Sequence, residues 1–385
     1  MSDVASSDAS SWVTKGRFRG RSVVIVVLVV ILLVAGFLWL RHKSPPPLTV
    51  PISNQYTVVG NKIIGPTGKQ FIPEGIVVLG LSLPDWQAYV SSDENDIAAI
   101  ADFWHANAVR LQIAPTNLLF GHNTSSFLAA VKKEVSYALS LGLDVWISAQ
   151  YEHVSSLGMP NQSTQRFWKD IAPIYRSNTR VWFDLFNEPR LGGRNKSAAS
   201  AWNTWQNGSG KYVGMQALVD TIRATGAKNI ILAEGMMYAH TLDEVPSHML
   251  HGGNIVYEVH AYFIQPGFST PASWASNWGD LSSKLAVVVG EWSEYQSQKT
   301  SCVRDPRTLV PEFLDYLSSH DIGLIAWALL PGVLIKGTNV RDPTTFSSTA
   351  PYLCTASRQP DGQGAGASVL AYFATHSHPA PAIAG

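Results

Sequence analysis

Charged residues are scarce in this chain: they make up 15% of 385 residues, with 28 basic and 28 acidic side chains in balance, against a usual share of about a quarter. Without a basic surplus there is little to neutralise a phosphate backbone, so nucleic acid is not expected as a partner. Cysteine is rarer still. The only two are Cys302 and Cys354, with no nearby ligand cluster that would suit a zinc site. Cys302 falls just after the seventh of the strand-like runs described below and Cys354 beyond the eighth, and they are expected to pair as a disulfide if that region is exported. Sequences of the His-Glu-x-x-His, Gly-x-Ser-x-Gly and Walker types are missing, which sets aside zinc proteases, serine hydrolases and nucleotide-binding proteins. No repeat of about 20 to 50 residues runs through the chain, so solenoids and propellers are also set aside. No cofactor and no metal are expected.

What the chain does have begins near its N-terminus. Lys15, Arg17, Arg19 and Arg21 precede an uncharged run, 22–40, rich in Val, Ile and Leu. As a helix it would be about 28 Å long, close to the thickness of bilayer hydrocarbon. A cleaved signal peptide is the competing reading, but its apolar stretch is usually shorter and ends in small residues; this one ends Phe37-Leu38-Trp39-Leu40. The excess of basic residues before the span places residues 1–21 in the cytoplasm and the rest outside. A proline-rich linker, 41–55, follows as an extended spacer. The expectation is therefore a single-pass membrane-anchored protein with a domain at 56–378 and a short tail, 379–385.

That domain opens with a predicted hairpin: 56–64, a turn at 65–68, and 70–72. Eight apolar runs follow, at 75–79, 108–113, 143–149, 181–186, 229–233, 255–260, 285–290 and 323–328. Stretches between them, such as 94–107, 125–141, 165–175 and 216–225, carry apolar residues at helical spacing. Strands joined by crossovers this long pair in parallel. The fold class expected is α/β, a closed (β/α)8 TIM barrel, preceded by a single N-terminal transmembrane helix, with a reduced helix between the fifth and sixth strands. An open doubly wound sheet is the alternative, but it would carry a Gly-rich phosphate turn after an early strand, and none is present.

Two of the runs end in a carboxylate. Val-Trp-Phe-Asp-Leu-Phe stops at Asn187-Glu188-Pro189, where proline cannot extend a ladder, and Leu-Ala-Val-Val-Val-Gly delivers Glu291. In a barrel, the C-terminal ends of the strands form the rim where catalytic groups gather. Either glutamate alone could cap a helix or form an ion pair. Two at strand ends are what glycoside hydrolysis requires, one to protonate the leaving oxygen and one to attack or to activate water. Arg110, Asn187, His260, Tyr262 and Trp327 fall at or near the same strand ends. Singly, each has a plain structural alternative, as an ion-pair partner or a core group.

Together these residues resemble glycoside hydrolase family 5 (cellulase-like, clan A): Arg110, Asn187-Glu188-Pro189, His260-Ala261-Tyr262 and Gly290-Glu291-Trp292, over about 56–376. The resemblance implies Glu188 as acid/base and Glu291 as nucleophile. It implies Asn187 as a partner for the sugar 2-hydroxyl, Arg110 and Tyr262 as groups holding the nucleophile, His260 as support for the acid/base, and Trp327 as a sugar platform. One departure stands out. Many members carry a His at the end of the third strand, where this chain reads Ser148-Ala149-Gln150-Tyr151, with His153 two residues late. The expected activity is that of a retaining glycoside hydrolase on a β-linked glycan, of β-glucan or β-mannan type. Its two carboxyl groups should lie roughly 5 to 5.5 Å apart. The oligo- or polysaccharide substrate is the expected partner. A non-catalytic carbohydrate-binding barrel and a transglycosylase on the same site are the alternatives.

Overall fold

Eight strands close into a parallel barrel in the computed structural model, which describes residues 55–151, 157–191, 199–263, 266–294, 304–346 and 365–376. They are β1 (Glu74–Val78), β2 (Ala108–Ile113), β3 (Asp144–Ala149), β4 (Val181–Asp184), β5 (Ile231–Glu234), β6 (Ile255–His260), β7 (Val287–Trp292) and β8 (Gly323–Ala326). Each pairs in parallel with its neighbour, and β8 pairs with β1 to complete the ring. Helices such as Val90–Asp102, Thr124–Ser140, Gln162–Tyr175 and Pro306–Ser319 return the chain outside it. Between β5 and β6 the crossover shrinks to Met236–Ala239 and a 3-10 turn, Val245–Ser247.

Because alternate residues of a strand point to opposite faces, each strand supplies two cores. The outward residues, among them Ile76, Val109, Leu111, Val145 and Phe183, join the helices in one cluster. The inward residues form a second, with Val77, Ala108, Trp146, Trp182, Leu232, Val256, Val288 and Ile325 filling the barrel. Trp146 and Trp182 stack there, ring centroids 5.4 Å apart. Below them Tyr56 and Phe71 close the N-terminal end, their rings 5.3 and 5.8 Å from Trp182.

The plug differs from the predicted hairpin. The tight turn is at Gly60, whose positive φ of 61° suits glycine. Thr57–Val59 therefore pairs antiparallel with Lys62–Ile64, and 56–64 is not one strand. The turn at 65–68 is present but only brings Gln70 into a bridge with Ile64. Strand ends also move. The fourth strand stops at Asp184 rather than at 186: beyond it single bonds to the same two neighbours remain, Leu185 N to Leu232 O at 3.1 Å and Asn187 N to Ala149 O at 3.0 Å, but the paired ladder does not continue. The seventh runs on through Trp292 across a bulge. His376 ends the helix Gly366–His376, where its Nε2 lies 3.1 Å from Ser318 Oγ and its ring stacks on Tyr372. Asn161, a glycosylation sequon by sequence, caps the helix Gln162–Tyr175 by accepting from Ser163 N and Thr164 N.

The apolar span 22–40, nearly all of the proline-rich linker, His153, Cys302 and Cys354 lie outside the described residues. Among the described residues, no helix is long and apolar enough to cross a membrane.

Candidate active site

Above the apolar filling, the inward positions of the same strands turn polar. On β2, Ala108 is followed two residues later by Arg110 and then Gln112. On β3, Trp146 is followed by Ser148; on β4, Trp182 by Asp184; on β5, Leu232 by Glu234; on β6, Val256 by Glu258 and His260. Ser148, Arg110, Asp184, Glu234, Glu258 and His260 are fully buried. The strand beside Glu258 must then leave room for it. A Cβ added at Gly290 on β7 would come within 1.6 Å of Glu258 Oε1, so glycine is required there.

Strict alternation would turn Glu291 outward, since Val288 and Gly290 occupy the inward positions. A bulge corrects this. Val259 pairs with Val289, but the next residue, His260, pairs with Glu291, so one extra residue re-aims the side chain into the barrel. Glu188 is placed by a different device, a left-handed backbone with φ of 54° just beyond β4. For a residue with a Cβ this costs about 1–2 kcal/mol. A compensating bond is present, because its N–H donates to Glu234 Oε2 at 2.6 Å.

Arg110 joins these groups. Its Nη1 donates to Glu291 Oε1 at 2.7 Å. Its Nη2 lies 2.6 Å from Asp184 Oδ2, 2.8 Å from Glu234 Oε1, 2.8 Å from Asn187 Oδ1 and 3.0 Å from Ser148 Oγ. A guanidinium only donates, so the contact fixes the Asn187 amide with its oxygen toward Arg110. Glu291 receives two more bonds, from Gln112 Nε2 at 2.6 Å and from the Tyr262 hydroxyl at 3.0 Å. His260 Nδ1 lies between the two strand-end glutamates, 3.1 Å from Glu188 Oε1 and 3.3 Å from Glu291 Oε2. A carboxylate oxygen of Glu188 and one of Glu291 lie within 4.8 Å of each other. The Glu188 side chain is 14% exposed and that of Glu291 6%, so both reach the open end of the barrel.

The electrostatics follow from burial. Desolvation alone would lower His260, but the carboxylates of Glu234 and Glu291 raise it well above its ordinary value. Tyr262 is raised well above its own, by burial and then by Glu291 and Glu188, and stays a hydroxyl donor. Burial also lifts Glu234 to about 7 and Glu258 to about 8. The two differ in their partners. Glu234 accepts bonds at both oxygens, whereas neither oxygen of Glu258 has a hydrogen-bond partner.

The structure thus brings Arg110, Asn187, Glu188, His260, Tyr262 and Glu291 together at one end of the barrel. Trp327 stands just past β8, half-buried against the inner core, with its backbone N–H donating to Trp292 O at 2.8 Å. Sequence reasoning missed Gln112, Ser148, Asp184, Glu234 and Glu258. The signal was available, because each interrupts or directly follows an apolar run at the period-two position shared with inward residues. Ser148 takes an Arg110 contact near the place where the family places a histidine. Two residue sets, Glu188–His260–Glu291 and Glu234–Glu258–His260, offer donor atoms within 4.8 Å of one another. Arg110 lies against Glu234, Glu258 and Glu291 in these sets, at 2.8, 3.5 and 2.7 Å. The guanidinium already supplies the cation there, so the residues form an ion-pair network rather than a metal centre.

Among known proteins, residues 67–332 match the family described as cellulase (glycosyl hydrolase family 5). Endoglucanase 5 of Pectobacterium carotovorum subsp. carotovorum is 24% identical over 287 residues, covering 73% of this chain and 51% of that protein. Cellulase CelDZ1 of a Thermoanaerobacterium species is 23% identical over 257 residues, covering 62% of this chain and 61% of its own. The chain thus spans between half and two thirds of the length of these curated relatives. In structure it resembles the beta-glucanase SdGluc5_26A of Saccharophagus degradans, with a TM-score of 0.64 at 20% identity, covering 87% of this chain and 99% of that one. It also resembles the catalytic domain of Thermobifida fusca endoglucanase Cel5A, with a TM-score of 0.59 at 17% identity, covering 83% and 97%.

Proposed function

The chain belongs to glycosyl hydrolase family 5, and from that premise we propose that it is a retaining glycoside hydrolase acting on a β-linked glucan, with Glu291 as nucleophile and Glu188 as acid/base. The observation that carries this reading is the convergence of the two carboxylates within 4.8 Å, with three donors on Glu291 and the His260 ring between them. Inverting enzymes separate their carboxyl groups by about 6.5–9.5 Å to admit a water, so this approach favours the retaining geometry. The choice of glucan over mannan is supported by the relatives, which are named as endoglucanases and cellulases.

In the first step a Glu291 oxygen attacks the anomeric carbon as its bond to the glycosidic oxygen breaks. The electrons of that bond pass to the leaving oxygen, which takes the proton carried by Glu188. The product is a glycosyl ester on Glu291. Glu188, now a carboxylate, removes a proton from water as the water attacks the same carbon and releases Glu291. Arg110, Gln112 and Tyr262 hold the carboxylate that attacks and later departs. Asn187, its oxygen turned to Arg110, keeps its N–H donors for the sugar 2-hydroxyl, and Trp327 offers a flat face for a sugar ring. Incubation with β-glucan and β-mannan oligosaccharides, with the product anomer followed by NMR, tests the reading. Retained products from glucans, lost in Glu291→Gln, are expected. Binding without turnover points to a non-catalytic barrel, and longer products to sugar intercepting the ester in place of water.

The location and covalent state proposed for this domain come from the sequence. The run 22–40 would anchor it on the outer face of a membrane, and Cys302 would pair with Cys354. Recovery of the intact N-terminus only in soluble material, or two free thiols by mass spectrometry without reduction, overturns these two assignments respectively.

A further inference from the structure

Glu234 has no part in the chemistry above, yet it touches both halves of it. Its Oε2 accepts the Glu188 backbone N–H at 2.6 Å, and its Oε1 accepts from Arg110 Nη2 at 2.8 Å. The same Oε1 faces His260 Nε2 at 3.4 Å. Glu188 sits in a left-handed conformation that an L-residue avoids, just beyond the end of the β4 ladder at Asp184. Glu234 is in turn fixed as the last residue of β5, where its own carbonyl accepts from the buried Trp205 indole at 2.8 Å.

We propose that Glu234 is a positioning residue for the acid/base: one buried carboxylate that pins the Glu188 backbone and ties it to the guanidinium aligning Glu291. This rests on the assignment of Glu188 and Glu291 above and adds a residue to it. The chemistry requires an anion with two acceptor oxygens. An amide in the same place has one oxygen, so Glu234→Gln must turn N–H groups toward either Glu188 N–H or Arg110, and one of the two bonds is lost. Glu258 provides the comparison. It is equally buried and neighbours the same cations, but accepts no hydrogen bond, so Glu258→Gln removes a carboxyl group without breaking this tie.

The consequence is specific to proton delivery. A misplaced Glu188 matters most when the leaving oxygen needs its proton and least when it departs unaided. On a series of aryl β-cellobiosides, kcat/KM of Glu234→Gln is expected to fall about 10- to 100-fold for phenol leaving groups. For dinitrophenol the expected loss is under about three-fold. Glu258→Gln should change kcat/KM by the same factor across the series. A uniform loss across the series for Glu234→Gln, or an equally steep one for Glu258→Gln, overturns the proposal.

The parent protein provides a second measurement that needs no folded variant at position 234. With 15N-labelled glutamate, the Glu188 amide, assigned by its disappearance in Glu188→Gln, should resonate far downfield, as a short bond to a carboxylate requires. An ordinary amide shift would also overturn the proposal. If Glu188→Gln and Glu291→Gln turn over as the parent does, the catalytic assignment fails instead, while the amide shift still reports whether Glu234 holds Glu188.

Discussion

Arg110 Nη1 lies 2.7 Å from Glu291 Oε1, and the other nitrogens of the same guanidinium bond Asp184, Glu234, Asn187 and Ser148. Few single side chains could do this. A guanidinium offers five donors in a rigid plane, where an ammonium offers a point charge. Arg110→Lys keeps the charge and loses the fork. Because it strands buried carboxylates, it is expected to destabilise the fold by about 3–5 kcal/mol as well as to slow turnover. Chemical denaturation checks this, and a loss below 1 kcal/mol would mean that the network reorganises around lysine.

Tyr262 is the donor to Glu291 that can be removed with least disturbance, since phenylalanine fills the same space. A hydrogen bond to a charged group contributes about 1.5–3 kcal/mol, so Tyr262→Phe should reduce kcat about 10- to 100-fold. The melting temperature should move little. An unchanged kcat with raised KM would assign the hydroxyl to substrate binding instead.

Glu134 gives a prediction on pH. It lies on the helix Thr124–Ser140, fully buried, with neither oxygen partnered. Burial, then the charges of Asp93 and Glu94, raise it from 4.5 to about 9 against an opposing contribution from Lys133. The folded state therefore holds this proton more tightly than the unfolded chain. Stability is highest below the ordinary 4.5 and falls as pH rises toward about 9. Glu134→Gln does not titrate, so its advantage in melting temperature should widen from pH 5 to pH 9. Parallel melting curves for parent and variant over that range would count against it.

At the closed end of the barrel, the Tyr56 hydroxyl donates to buried Asp144, which also accepts from Arg180 Nε at 2.8 Å. Tyr56→Phe leaves that carboxylate one donor short, at a cost of about 1–3 kcal/mol. The catalytic groups lie beyond the Trp146–Trp182 layer, so kcat should be unaffected. A parallel fall in kcat at a temperature where the variant is folded would show that the plug and the rim are coupled.

The alternation of apolar runs and helical stretches made the barrel legible, because a strand covered on both faces must be nearly all apolar and a covering helix must be one-sided. The Asn187-Glu188-Pro189 and Gly290-Glu291-Trp292 elements marked where chemistry would gather. Strand boundaries were less legible. The ladder of β4 ends at Asp184 although apolar residues continue to Phe186, since hydropathy does not report where regular pairing stops. The turn at Gly60 was missed because the flanking residues read as one continuous strand.

By itself, then, the amino-acid sequence determined which residue types stand at which strand positions: a period of two on the strands, a helical period between them, and carboxylates at two strand ends. It also placed Asp184 and Glu258 inside apolar runs and Glu234 at the end of one, without saying what they would meet. Only the closed barrel decided that. Residues on five different strands became one network around Arg110 because closure sets each strand in register with its neighbour. The bulge after Val289 and the left-handed backbone of Glu188 then aimed the two glutamates at each other. Both are local departures from regular geometry, which the periodicity of a sequence cannot express and which persist because the packed surroundings, Glu234 among them, hold them in place.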